Sequence, residues 1–170
     1  SQASQRPKTT WNSGAVTNVV NNPYNAGETF CTGPARFTGD TGLTGGSVTF
    51  NCGVNPVTIT VTSEKNITAN TTIDGGGLVT ISGGNSTRVF HVQNNNNASG
   101  YAFVIRNLKV VNGRSANNGG GISVERLSSL TIENSTFSGN VGHNGGAIAT
   151  DGWGANDGGV AVTITNSTFT

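Results

Sequence analysis

Leu130-Thr131-Ile132-Glu133-Asn134-Ser135-Thr136-Phe137-Ser138 returns as Val162-Thr163-Ile164-Thr165-Asn166-Ser167-Thr168-Phe169-Thr170. A weaker copy, Phe103-Val104-Ile105-Arg106-Asn107-Leu108-Lys109-Val110-Val111, precedes both. The shared Asn stands at 107, 134 and 166, so the unit recurs after 27 and 32 residues. A repeat of that size cannot bury its apolar face alone and has to stack on its neighbours. A sandwich has no reason to reuse such a segment at these intervals. A parallel β-helix does, because each coil lies on the one before it in register.

The rest of the chain agrees. Val57-Thr58-Ile59-Thr60-Val61-Thr62 and Val79-Thr80-Ile81-Ser82 alternate apolar and polar residues, as half-buried strands do. Gly and Asn turns separate these short strands, and no stretch carries a helical period. The expected fold is all-β: a right-handed, single-stranded parallel β-helix of roughly five coils over residues 47–170. Residues 1–46, with three of the four prolines (Pro7, Pro23 and Pro34), read as an N-terminal arm or cap. Stacking predicts an apolar ladder of Ile105, Ile132 and Ile164, and a second of Val110, Phe137 and Phe169. It also predicts that Asn107, Asn134 and Asn166 share a turn, where Asn tolerates unusual φ.

Composition bounds the function. Gly, Asn, Thr and Ser make up 88 of the 170 residues, charged residues only 10%, and the net charge is +1. Clustered Lys and Arg, the footprint of nucleic-acid binding, are missing. No apolar run is long enough to span a membrane as a helix. Cys31 and Cys52 lack the close spacing of metal ligands. The favoured reading is a disulfide formed in an oxidising compartment, which on loop entropy would stabilise by about 3 kcal/mol; the alternative is two free buried thiols.

Phe137-Ser138-Gly139-Asn140 fits F-x-x-N, and Gly145-Gly146-Ala147-Ile148 fits G-G-A-I, with Gly119-Gly120-Gly121-Ile122 a near-copy of the latter. This pair resembles the repeat of the polymorphic outer-membrane proteins of chlamydiae and of secreted bacterial right-handed β-helix proteins. The resemblance covers about residues 103–170. It implies a secreted or cell-surface location, and a family whose functions range over adhesins, surface proteins and carbohydrate-active enzymes. Physically the motif is scaffold chemistry: glycines for close turns, Ile and Phe for the core.

Catalytic chemistry is sparse at the level of sequence. There are eight carboxylates, and no two lie within three residues of each other. No metal or cofactor motif is present. One region differs. Ile122 to Asn134 spans 12 residues, whereas Ile148 to Asn166 spans 18. Insertions in solenoids form surface loops, often on the binding face. This one contains Asp151, Trp153 and Asp157, and His143 lies just upstream. These four are the candidate glycan contacts, with Trp153 stacking on a sugar ring; the alternative is a loop packed on itself. Six sequons, at Asn66, Asn70, Asn85, Asn97, Asn134 and Asn166, are candidate N-glycosylation sites, though so Asn- and Thr-rich a chain yields several from composition alone.

The leading functional reading is an extracellular structural or adhesive solenoid. The last repeat copy lacks the Gly-Asn and Gly-Gly-Ala-Ile that follow the earlier one. Its coil is therefore expected to be covered by a longer chain or by a second copy, and head-to-tail stacking of copies grows a filament. A glycan-binding surface module is the alternative. A polysaccharide lyase or hydrolase fragment comes third, so the reading leans away from an enzyme.

Overall fold

A computed structural model describes residues 17–21, 42–43, 46–51, 54–94, 98–152 and 158–170. Cys31, Cys52, Asn97, Trp153, Asp157 and most of the N-terminal arm lie outside the described residues. Strands β1 (Thr17–Asn21), β2 (Gly42–Leu43), β3 (Gly46–Asn51), β4 (Val57–Thr60) and β5 (Lys65–Ile67) come first. They are followed by β6 (Thr71–Asp74), β7 (Val79–Ser82), β8 (Phe90–Val92), β9 (Ala102–Arg106), β10 (Lys109–Val111) and β11 (Ile122–Glu125). The last are β12 (Ser129–Glu133), β13 (Thr136–Ser138), β14 (Ile148–Asp151), β15 (Ala161–Thr165) and β16 (Thr168–Phe169). Among the described residues there is no helix.

All strand pairs are parallel, and they form three sheets. The first sheet runs β1-β3-β6-β9-β12-β15, the second β4-β7-β10-β13-β16, and the third β2-β5-β8-β11-β14. The chain visits the sheets in strict rotation from β3 onward, so β3–β14 wind four complete coils of a parallel β-helix. β15 and β16 begin a fifth, and β1 adds a rung to the first sheet beside β3. Crossovers between parallel strands are right-handed in about 98% of cases, which is the sense expected for this coil.

The core is built from ladders. Val48, Ile73, Ile105, Ile132 and Ile164 are successive partners on the first sheet. Ile59, Ile81, Val110, Phe137 and Phe169 are successive partners on the second. The expected Ile and Val/Phe ladders are therefore present, and each extends two rungs further toward the N-terminus than the repeat copies show. Phe137 and Phe169 stack with ring centroids 5.0 Å apart. Burial ends with the last coil: Ile132 is 0% exposed, but Ile164 is 47% exposed and Phe169 39%.

The corner after the first sheet explains the Asn-Ser in the repeat. Asn107, Asn134 and Asn166 take φ of 52°, 48° and 48°, the left-handed region that Asn accepts more readily than most side chains. Asn134 Nδ2 reaches Asn107 Oδ1 at 3.5 Å. The next residue locks the turn: Ser135 Oγ donates to the Glu133 carbonyl at 2.7 Å and accepts the Leu108 N–H of the previous coil at 3.3 Å. Ser167 repeats both bonds one coil on, to the Thr165 carbonyl and from the Ser135 N–H.

The other two motifs are equally local in cause. Asn140, the Asn of F-x-x-N, donates to the Val110 carbonyl at 2.9 Å and accepts the Gly113 N–H at 2.8 Å, tying its coil to the one before. Gly119 and Gly145 have φ of 54° and 65°. A Cβ at either would lie 2.0–2.1 Å from the carbonyl oxygen three residues ahead, on Ile122 or Ile148. The Gly that opens each G-G-x-I is thus sterically required. In the turn after β6, Asp74 is a turn residue: its Oδ1 accepts the Gly76 N–H at 2.9 Å and its Oδ2 pairs with Arg106 at 2.9 Å. Burial pushes the Asp74 carboxyl up, but bonds from Asn107 and Gly76 and the Arg106 charge outweigh it and hold it below its ordinary value.

The Asn turn is testable at Asn134. Asn134→Ala places a Cβ-bearing residue without a compensating side chain at positive φ, and is expected to cost about 1 kcal/mol in urea unfolding. Asn134→Gly is expected to be close to neutral. Equal losses in the two variants would show that the side-chain bond, rather than the backbone conformation, is what Asn supplies.

Candidate functional site

The corner between the second and third sheets carries a groove of about 390 Å³. On β8, β11 and β14 alternate residues point outward, because Phe90, Val92, Ile122 and Val124 are fully buried on the inner side. His91 and Ser123 are partners across β8 and β11 on that outer face. Glu125 and Asp151 are partners across β11 and β14. The turns leading into the third sheet contribute Arg88, Asn117, Asn118, His143 and Asn144 to the wall. Both histidines of the chain therefore line one groove, together with three Asn, a Ser and two carboxylates.

His91 is held between two carboxylates. Its Nδ1 lies 3.4 Å from Glu64 Oε1 and its Nε2 lies 3.1 Å from Glu125 Oε1. Glu125 Oε2 accepts the Asn94 N–H at 2.7 Å. Glu64 in turn pairs with Arg88 at 2.7 Å. The Arg88 guanidinium also donates to Ser115 Oγ at 3.1 Å and to the Asn118 and Gly119 carbonyls at 2.8–3.1 Å. Glu64, Arg88 and residues 115–119 belong to three successive coils, so this one side chain ties all three. The hydrogen bond with His91 lowers the Glu64 pKa, burial opposes it, and the Arg88 charge adds to the lowering, so the carboxyl is held below its ordinary value. Further along the groove, Asn144 Nδ2 donates to Asn118 Oδ1 at 2.9 Å, and the two residues also pair through the backbone.

Of the four expected glycan contacts, His143 and Asp151 both line the groove, while Trp153 and Asp157 lie outside the described residues. The insertion is visible in the strand bounds: three residues join β11 to β12, and nine join β14 to β15. Sequence reasoning missed Glu64, Arg88, His91 and Glu125. The usable signal was the strand alternation around Phe90-His91-Val92 and Ile122-Ser123-Val124-Glu125, which puts His91 and Glu125 on one outer face. Among the described residues no group of three or more His, Cys, Asp or Glu is arranged to hold a metal ion.

The sequons sit at different places. Asn85, Asn134 and Asn166 are exposed at positive-φ turns. Asn70 is exposed, with its Oδ1 accepting the Ala102 N–H at 2.9 Å. Asn66 lies in β5, and its Oδ1 is buried without a hydrogen-bond partner among the described residues.

Glu64→Gln removes the charge that faces Arg88, whose side chain is only 11% exposed. It is expected to cost about 1–3 kcal/mol near neutral pH. A carboxyl whose folded pKa is depressed contributes stability above its unfolded value and loses it as pH falls through the folded one. The cost of Glu64→Gln should therefore shrink as pH drops below 4.5, the ordinary value for this group. Urea unfolding of both proteins at neutral and acid pH measures this. A cost that does not change with pH would show that the pair does not stabilise through its charge.

Comparison with protein-family models, with curated proteins and with solved structures gives no match.

Proposed function

We propose that this chain is an extracellular adhesive β-solenoid that binds glycan along the groove at the corner of its second and third sheets. The observation that carries this reading is the lining: His91, His143, Asn117, Asn118, Asn144 and Asp151 come together from coils far apart in sequence. Planar amides, imidazoles and carboxylates in a shallow polar cleft are what sugar hydroxyls need for paired hydrogen bonds. Asn118 with Asn144, and Glu125 with Asp151, stand one rung apart, about 4.7–4.9 Å, so the groove offers paired polar groups along its length, which suits an extended ligand. The low charge and the Gly, Asn, Thr and Ser content support a surface setting, as do the F-x-x-N and G-G-A-I motifs.

The double variant His143→Ala/Asp151→Ala removes two rim side chains that are not part of the buried core. It is expected to weaken glycan binding at least about tenfold, the loss of one to two good hydrogen bonds, with an unchanged unfolding midpoint. Undiminished binding on a glycan array followed by titration would remove the groove from consideration.

The last coil favours a second reading, assembly by stacking. Val162, Ile164 and Phe169 are 41%, 47% and 39% exposed, although every earlier member of the Ile164 and Phe169 ladders is buried. A second copy laid over β15 and β16 would bury that row, as would a continuation of the chain. If copies stack, sedimentation velocity will show association that grows with concentration and is abolished by Ile164→Asp. A monomer at all concentrations would eliminate the second copy as the cover.

A further inference from the structure

The charge left in the groove narrows what it can hold. Arg88 is the only lining residue of fixed positive charge among the described residues. Its guanidinium is already engaged by Glu64, Ser115 and two backbone carbonyls. Glu125 and Asp151 remain. They are partners on neighbouring strands, so about 4.8 Å separates their backbones. Like charges directly opposite each other on adjacent strands repel. Glu125 cannot readily turn away, because the Asn94 N–H and His91 Nε2 hold its two oxygens.

A second observation lies one step along the same face. Ser123 is two residues before Glu125, is 3% exposed and lines the groove. Its hydroxyl makes no hydrogen bond among the described residues. Its oxygen is not one of the buried atoms left without a partner, so it opens into the groove and can bond what lies there. The floor of the groove thus presents an open hydroxyl beside two carboxylates that are partners on adjacent strands. An ammonium group relieves the carboxylate pair, and a neighbouring sugar hydroxyl satisfies Ser123. A uronate or sulfate would add a third negative charge to the same place.

We propose that the groove selects glycans carrying free amino groups over neutral and acidic ones, with the ammonium seated between Glu125 and Asp151 and an adjacent hydroxyl on Ser123. This selectivity rests on the glycan-binding reading above and adds the class of sugar to it. Isothermal titration of the whole chain with four ligands tests it: a glucosamine tetramer, its N-acetylated counterpart, a galacturonate tetramer, and tetralysine. The glucosamine tetramer is expected to bind about tenfold tighter than the N-acetylated one, as a charge-assisted bond gives, and the galacturonate tetramer weakest. Raising the salt should shrink the glucosamine advantage. Asp151→Asn should cut it to about twofold, and Ser123→Ala should weaken both glucosamine-based tetramers. Equal or tighter binding of the N-acetylated or galacturonate tetramer overturns the selectivity while leaving the groove a glycan site. Tetralysine binding as tightly as the glucosamine tetramer shows a site for amines in general and overturns the assignment to sugar. Failure of all three saccharides to bind overturns the glycan-binding reading itself.

Discussion

Among the described residues, each coil is held to its neighbouring coils by main-chain hydrogen bonds, in register and parallel. That constraint governs the rest. A single coil has three short strands and one apolar face, too little to fold alone. Its inner residues are buried only because the neighbouring rungs lie at strand spacing above and below. Ile132 between Ile105 and Ile164 shows the rule, and Ile164, with a described neighbour on one side only, shows its limit. The corner devices serve the same end. Ser135, Asn140 and the opening glycines each satisfy a backbone group or clear a backbone approach where one coil turns beside the next.

Register also turns distance along the chain into chemistry. Glu64 and Arg88 are 24 residues apart, and Glu64 and His91 are 27 apart, yet each pair is in contact because one coil separates them. A solenoid can therefore gather ionisable groups in a groove even when none of them are neighbours in sequence. Scarcity of carboxylates says little about such a fold. Four of the eight, Asp74, Glu64, Glu125 and Asp151, are in ion pairs or line the groove.

The fold was legible in the sequence where the coils copy one another. Asn107, Asn134 and Asn166 mark the same turn because only a few side chains tolerate its backbone, and the Ile ladder repeats because the core has a fixed width. The earlier coils lack the Asn-Ser corner, with Asp74 and three glycines in its place. Their register could not be read from self-similarity, and the contacts of Glu64, Arg88 and His91 were hidden with it. His143 and Asp151 were reached by a different route, the extra length between Ile148 and Asn166. That length announces a surface departure from the coil but is silent about what stands opposite it. Hence two-thirds of the groove, the six of nine lining residues contributed by the second and third coils, became visible only when strands were paired.

Arg88 has a consequence for how such a groove can change. Its guanidinium lies in the groove wall and joins three coils without needing His143, Asn144 or Asp151. The rim groups His143, Asn144 and Asp151 stand on the fourth coil, outside that clamp. The coil clamp and the proposed recognition are thus assigned to different side chains in the same few square nanometres. A lineage that kept the clamp would be free to exchange the rim, so that ligand preference could drift from one homologue to the next while the coil geometry stayed the same.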